Sequence, residues 1–256
     1  MTRRLIRLPW LLAHLLWGLL LCLALLLDRS RHLSAERLAQ GWSRQLLRIF
    51  AVRLEVHGTP CGSGHLRVAN HVSWLDIFGL LSVRPSRFVA KSEIRDWPVA
   101  GWLADALGTF YLRRGKGGAR PLLARMTPYL QNGGSVTVFP EGTTTDGRDV
   151  RSFHPRLFSA AVEADVPVQP VSLRYSSALA PFIGDDDLVR HLWRLMGAPG
   201  LSLRIDFEAL LPAASGRDAL ATAAEAAIRL RLRPELAAVP APVSTLSRRS
   251  AASASA

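Results

Sequence analysis

Hydrophobic and polar positions divide the chain into stretches of different character. Residues 8–27 form a nearly continuous apolar run, interrupted only by Pro9, His14 and Gly18. As a helix such a run reaches about 30 Å, the thickness of a bilayer core. Arg3, Arg4 and Arg7 precede it, as in a signal peptide, but Leu27-Asp28-Arg29-Ser30-Arg31 offers no small-residue cleavage site. A soluble helix is seldom apolar on every side. The run therefore reads as a retained membrane helix. Arginines flank both ends, so charge assigns no orientation, and a re-entrant or embedded hairpin arm fits equally. Residues 34–50 predict a second helix, with Leu38, Trp42, Leu46, Leu47 and Phe50 near helical spacing and Arg37, Arg44 and Arg48 between them. Either this helix lies at the membrane interface with Trp42 as an anchor, or its apolar face packs on the core.

From residue 52 the pattern alternates. Segments 52–56, 66–69, 87–90, 109–112, 135–139, 168–173 and 203–207 are rich in β-branched or aromatic residues and read as strands. Segments 77–81, 99–107, 120–131, 155–164, 186–195 and 216–231 read as helices. The alternation implies an α/β fold, a mixed sheet flanked by helices. After Pro234 the composition shifts to Ala, Pro and Ser, so a disordered tail is expected. The expected organisation is membrane-associated helices over 1–50, a catalytic domain over 51–236 and a tail over 237–256.

Charge and cysteine usage narrow the classes. The net charge is +12, and Lys91 and Lys116 are the only lysines. Such a balance suits an anionic membrane surface or a phosphorylated ligand. No basic stripe interleaved with aromatics and no zinc-finger or RNP pattern points to nucleic acid. Cys22 lies in the apolar run and Cys61 in a Gly-rich loop, so a disulfide between them is not expected, and no Cys/His cluster suggests metal. Asp185-Asp186-Asp187 precedes a helical pattern and reads as a complement to its N-terminus rather than a metal site.

Asn70-His71-Val72-Ser73-Trp74-Leu75-Asp76 follows a strand and precedes a helix, the place where α/β enzymes carry their sites. Two readings stand side by side. Ser73 and Asp76 have capping-box-like spacing for a helix starting at Ser73. Alternatively, Asp76 folds back onto His71, fixes its tautomer and leaves the second ring nitrogen as a base. Phe139-Pro140-Glu141-Gly142-Thr143-Thr144-Thr145-Asp146-Gly147 also follows a strand. Its glycine and hydroxyls fit either an oxyanion loop or an ordinary turn. Arg113 and Arg114 end another strand, either solvated or aimed at a phosphate.

Together these segments resemble the lysophospholipid acyltransferase family over roughly residues 66–173. Asn70 to Asp76 looks like its N-H-x-S-x-x-D block. Lys91-Ser92-Glu93-Ile94 with Pro98-Val99-Ala100-Gly101-Trp102 is similar to K-x-E-L…P-x-x-G-W. Gly108 to Arg114 resembles G-x-x-[FY]-x-x-R, Phe139 to Thr143 resembles F-P-E-G-T, and Val166 to Val171 resembles V-P-[IV]-x-P-V. The resemblance implies a membrane enzyme of phospholipid biosynthesis. His71 would be its general base and Asp76 the orienting partner. Arg114, Glu141, Gly142 and Thr143 would form the acceptor pocket, with Lys91 in support. The Val166 to Val171 block would be structural or line an acyl tunnel. It further implies acyl-CoA or acyl carrier protein as donor, no bound cofactor, and a catalytic domain on the cytoplasmic side of the membrane. The expected acceptor is lysophosphatidic acid, with another lysolipid such as a lyso-aminolipid as the alternative, and a non-catalytic lipid-binding protein of the same fold behind it. One departure bears on that choice: many members carry Arg where this chain has Thr144. No G-x-S-x-G elbow supplies a covalent nucleophile, so direct attack by the acceptor on the thioester is expected.

Overall fold

The computed structural model describes residues 2–28, 30, 32–113, 119–184 and 186–233. Arg114, Asp185 and the expected tail lie outside the described residues. Chain order is α1 (Thr2–Leu27), α2 (Ala35–Ile49), β1 (Val52–His57), β2 (His65–Ala69), α3 (Leu75–Val83), β3 (Arg87–Lys91), α4 (Ala100–Ala106), β4 (Phe110–Leu112), α5 (Ala119–Gln131), β5 (Ser135–Val138), α6 (Ser159–Ala164), β6 (Val168–Tyr175), α7 (Leu188–Gly197), β7 (Leu201–Phe207) and α8 (Arg217–Leu232). The expected helix over 155–164 is a 3₁₀ turn, Pro155–Phe158, running into α6.

The strands form one seven-stranded mixed sheet in the order β1-β7-β6-β2-β5-β3-β4. All neighbours run parallel except β6 and β7. β2 is central, and all five of its residues are buried, as expected for a strand covered on both faces. On one face Leu66 and Val68 join Met126, Leu130, Phe158 and Ile228 from the α5, α6 and α8 side. On the other, Ala69 joins Trp42, Leu46, Leu47, Phe50 and Leu80 from α2 and α3. Val168 and Val171 are fully buried in these cores, so the Val166 to Val171 block fills the sheet interior rather than lining a tunnel.

For α2, the inward packing holds. Trp42 is 8% exposed, stacks on the His14 ring at 4.3 Å and donates its indole N–H to the His14 carbonyl. It therefore locks α1 to α2 and is not an interfacial anchor. Gly18 makes this approach possible, because a Cβ there would lie 2.7 Å from the Trp42 indole nitrogen.

Helix α1 is long and apolar enough to cross a membrane. Its Leu11, His14 and Gly18 are buried, while Trp10, Leu12, Leu16, Trp17, Leu20 and Leu23 remain exposed. The apolar run is thus two-sided, with an inner stripe on α2, α4 and α7 and an outer stripe facing away. The arginines that precede it act as bolts. Arg7 donates to the carbonyls of Leu195, Met196 and Ala198 at the C-terminal end of α7, where cations are favoured. Arg4 donates to the Trp193 carbonyl and lies over the Trp193 ring at 5.0 Å.

Candidate active site

Because β2, β5, β3 and β4 are parallel, the segments that follow them emerge at one edge of the sheet. β2 delivers Asn70 and His71 there, and the adjacent β5 delivers Phe139 to Glu141. Lys91 ends β3 at the same edge, one strand beyond β5 and roughly 10 Å from β2 by strand spacing.

His71 Nδ1 lies 2.8 Å from Asp76 Oδ2. The same oxygen accepts the backbone N–H groups of Val72 at 2.7 Å and Ser73 at 2.9 Å. The two sequence readings of this spacing are therefore one structure: Asp76 closes the helix start by reaching back to Ser73, and holds the imidazole in doing so. The helix begins at Leu75, ahead of the expected 77–81 segment and two residues after the Ser73 start of the capping reading, because Ser73 and Trp74 form the turn that brings Asp76 back. Asp76 is completely buried, whereas the His71 side chain is 19% exposed. Its Nε2 has no hydrogen-bond partner among the described residues. With Nδ1 bound to a carboxylate, the neutral ring carries its proton on Nδ1, and Nε2 is the basic nitrogen turned outward.

The second loop is tied to the first. Glu141 accepts the His71 backbone N–H at 2.8 Å through Oε1 and the Arg151 N–H at 2.9 Å through Oε2. Burial raises its carboxyl above the ordinary value, against the lowering effect of those two donors. Glu141 thus acts on the loops, with both oxygens already engaged. The Phe139 ring lies parallel to the His71 imidazole at 3.9 Å and sets its plane. Thr145 donates its N–H to the His71 carbonyl at 2.8 Å. Gly142 takes φ +70°, a turn that a side chain adopts only with strain, and sits beside His154. Thr143 is half-buried in this turn. On the far side, Trp74 donates to His191 Nδ1 at 3.0 Å, and His191 Nε2 meets the Pro181 carbonyl at 3.1 Å. That network pins the loop after His71 to α7. Asp187 caps α7 by accepting the Arg190 N–H, and Asp186 pairs with Arg194.

Two residues take roles that the sequence did not assign: Tyr175, and Asn70, which stood in the motif without one. Tyr175 donates its hydroxyl to Asp76 Oδ1 at 2.7 Å. Asn70 is fully buried and pairs both ways with the Leu173 backbone, donating to its carbonyl at 3.0 Å and accepting its N–H at 2.7 Å. The expected strand ended at Leu173. The real β6 continues to Tyr175 because its antiparallel ladder with β7 runs on, Tyr175 opposite Leu203.

A sequence model of the acyltransferase family matches residues 53–174, which contain both loops. A lyso-ornithine lipid O-acyltransferase of Pseudomonas aeruginosa is 42% identical over 203 residues, 77% of this chain and 79% of its own. The chain belongs to the lysophospholipid acyltransferase family. It is accordingly an acyltransferase of lipid biosynthesis, and its apolar α1 accords with membrane association. A 1-acyl-sn-glycerol-3-phosphate acyltransferase of Neisseria meningitidis serogroup B is 36% identical over 194 residues, 72% of this chain and 76% of its own. The crystal structure of the 1-acyl-sn-glycerophosphate acyltransferase of Thermotoga maritima shares the fold, with a TM-score of 0.73 and 23% identity over 94% of this chain and 97% of that one. Within the family, the lyso-ornithine lipid relative stands at higher identity than the glycerophosphate one, which weighs against the lysophosphatidic acid expectation.

Proposed function

We propose that this enzyme esterifies the free hydroxyl of lyso-ornithine lipid with a fatty acyl group from a thioester donor. The observation that carries the chemistry is the His71–Asp76 pair, with Nδ1 bound at 2.8 Å and Nε2 open at the sheet edge. His71 Nε2 takes the acceptor's hydroxyl proton as that oxygen attacks the thioester carbonyl. Asp76 stabilises the imidazolium, and Thr143 with neighbouring N–H groups stabilises the oxyanion. The intermediate collapses, the C–S bond breaks, and the proton on His71 passes to the departing thiolate. The donor is acyl-CoA or acyl carrier protein, with no bound cofactor required. Both donors belong to the cytoplasm, which supports a catalytic domain on that side of the membrane. Lys91 and Arg114 serve as cations for the substrates, and Glu141 and Gly142 shape the loop.

Two observations favour the aminolipid over a phosphate headgroup. The relative with lyso-ornithine lipid in its name is 42% identical. Thr144 puts a neutral hydroxyl where many members carry Arg, and the next charged side chain, Asp146, is an anion paired with Arg148 at 3.7 Å. Lysophosphatidic acid is the second reading, supported by the 36% relative and by the exposed Arg148 and Arg151. A panel of lysolipid acceptors at one fixed acyl donor decides between them, run on wild type and Arg114→Ala. Lyso-ornithine lipid is expected to be the preferred acceptor. A strong preference for lysophosphatidic acid, with its KM raised more than about tenfold by Arg114→Ala, reverses the assignment, since lost hydrogen bonds to a charged group cost roughly 1.5–3 kcal/mol.

A further inference from the structure

Asp76 does more than face His71. Its Oδ2 receives three donors, from His71, Val72 and Ser73, and its Oδ1 receives one, the Tyr175 hydroxyl at 2.7 Å. Turning the carboxylate about χ2, a broad and soft torsion, moves both oxygens together. The three bonds on Oδ2 already oppose that turn, and the Tyr175 bond on Oδ1 adds a restraint from the opposite side and draws part of the carboxylate's charge. Burial, and then the facing Asp76, push the Tyr175 hydroxyl well above the ordinary tyrosine range, so it stays protonated and serves as a donor.

The placement of Tyr175 has its own cause. β2 and β6 pair in parallel only as far as Ala69 opposite Val171. Beyond that step the Asn70 side chain takes over, bonding the Leu173 N–H and carbonyl as a further rung would. Asn70 on one side and the β7 ladder on the other keep β6 in register over the His71 loop for two residues more, and the second of them is Tyr175. Asn70, His71 and Asp76 lie in one short segment, yet two of the three are held by a strand about a hundred residues away.

We propose that Tyr175 is a positioning residue of this site: its hydroxyl, kept in register through Asn70, orients the Asp76 carboxylate that in turn orients His71. The inference rests on His71 acting as the base. Among the described residues, four titratable groups stand around the imidazole and its partners: Asp76 on α3, Glu141 on the loop after β5, Tyr175 on β6 behind Asp76, and His154 beside Gly142 at the rim. Losing the Tyr175 hydroxyl leaves more of the Asp76 charge directed at the ring. The ring then holds its proton more tightly, and the base is freed only at higher pH.

The test uses the full chain in detergent, with acyl-CoA as donor and lyso-ornithine lipid or lysophosphatidic acid as acceptor, whichever is turned over. Tyr175→Phe is expected to lower kcat about tenfold at neutral pH, leave both KM values unchanged and move the acid limb of kcat/KM to higher pH. In an Asp76→Asn background the same substitution should cost nothing further. Placing 3-fluorotyrosine at 175 keeps the hydroxyl as a stronger donor, so the acid limb should move to lower pH; this variant carries the test if Tyr175→Phe does not fold. Wild-type kcat in Tyr175→Phe overturns the proposal. So does a loss that leaves the pH profile in place and multiplies with Asp76→Asn, the pattern of a merely structural hydroxyl. His71→Ala run in parallel separates the layers: an active His71→Ala enzyme removes the base assignment itself, whereas an inactive one beside a normal Tyr175→Phe removes only the role of Tyr175.

Discussion

A histidine opens β2 and another lies two residues past its end, and the surroundings give the two rings opposite duties. At the N-terminal end His65 is fully buried, with Nδ1 3.1 Å from the Ser135 hydroxyl and Nε2 3.5 Å from Arg67. Burial, and then Arg67 and Arg84, push its pKa down to about 4. Arg67 beside it is also buried, donates to the Arg84 carbonyl at 3.0 Å, and has its pKa lowered to about 10 by burial. That end is a neutral imidazole next to a cation, closed to solvent, with nothing to stabilise a proton. Past the C-terminal end, His71 has a carboxylate on one nitrogen, an open second nitrogen and a partly exposed ring. An imidazole becomes a usable base where an anion can stabilise its charged form and a ligand can reach it. The same strand supplies one site that meets those conditions and one that fails both.

The largest expected effect separates the two rings directly. His71→Ala should reduce labelled-acyl transfer by about 10²–10⁴ while leaving the circular dichroism melt nearly unchanged, because the ring lies in a turn. His65→Ala should do the reverse, lowering the melting temperature while folded enzyme keeps its turnover. A folded His71→Ala enzyme with near-normal turnover would sink the mechanism, and a well-folded but inactive His65→Ala would erase the contrast.

Asp76→Asn should be milder for turnover than loss of the base, roughly tenfold or more. It should also lower the melt, since an amide at this position replaces an anion that holds four donors. An Asp76→Asn enzyme unchanged in both rate and melt would mean that the carboxylate is dispensable at this end of the strand too.

The smallest effect per pH unit belongs to His65. Unfolded chains bind a proton there below about 6.5, which the native state refuses until about 4. The unfolded state therefore carries more protons across that window, so stability falls as the pH is lowered through it, by up to about 1.4 kcal/mol per pH unit. Urea midpoints between pH 7 and pH 4 for wild type and His65→Gln measure it. Equal slopes in the two proteins would show that His65 does not couple folding to protonation.

Much of this molecule was legible in sequence because its signals are local. The apolar run of α1, the β-branched runs of the strands and the five-residue step from His71 to Asp76 all act over one or two turns of chain. Even the apparent conflict over Asp76, cap or catalytic partner, was a local ambiguity that one carboxylate resolves by doing both. Trp42 was ambiguous for a different reason: a tryptophan on an amphipathic face looks the same whether that face meets lipid or protein, and only the docking of His14 decides it.

The sequence by itself determined the elements, the two loops that carry chemistry and the spacing that lets a carboxylate reach its imidazole. Tertiary structure alone decided that β5 lies beside β2, so that Glu141 reaches the His71 backbone across 70 residues. It also decided that β6 overruns β2 to set Tyr175 on Asp76 across 99 residues, and that Arg4 and Arg7 bolt the apolar helix to α7. Hydrophobic period and turn chemistry reach only as far as neighbouring residues, whereas strand order and register follow from packing both faces of one sheet at once.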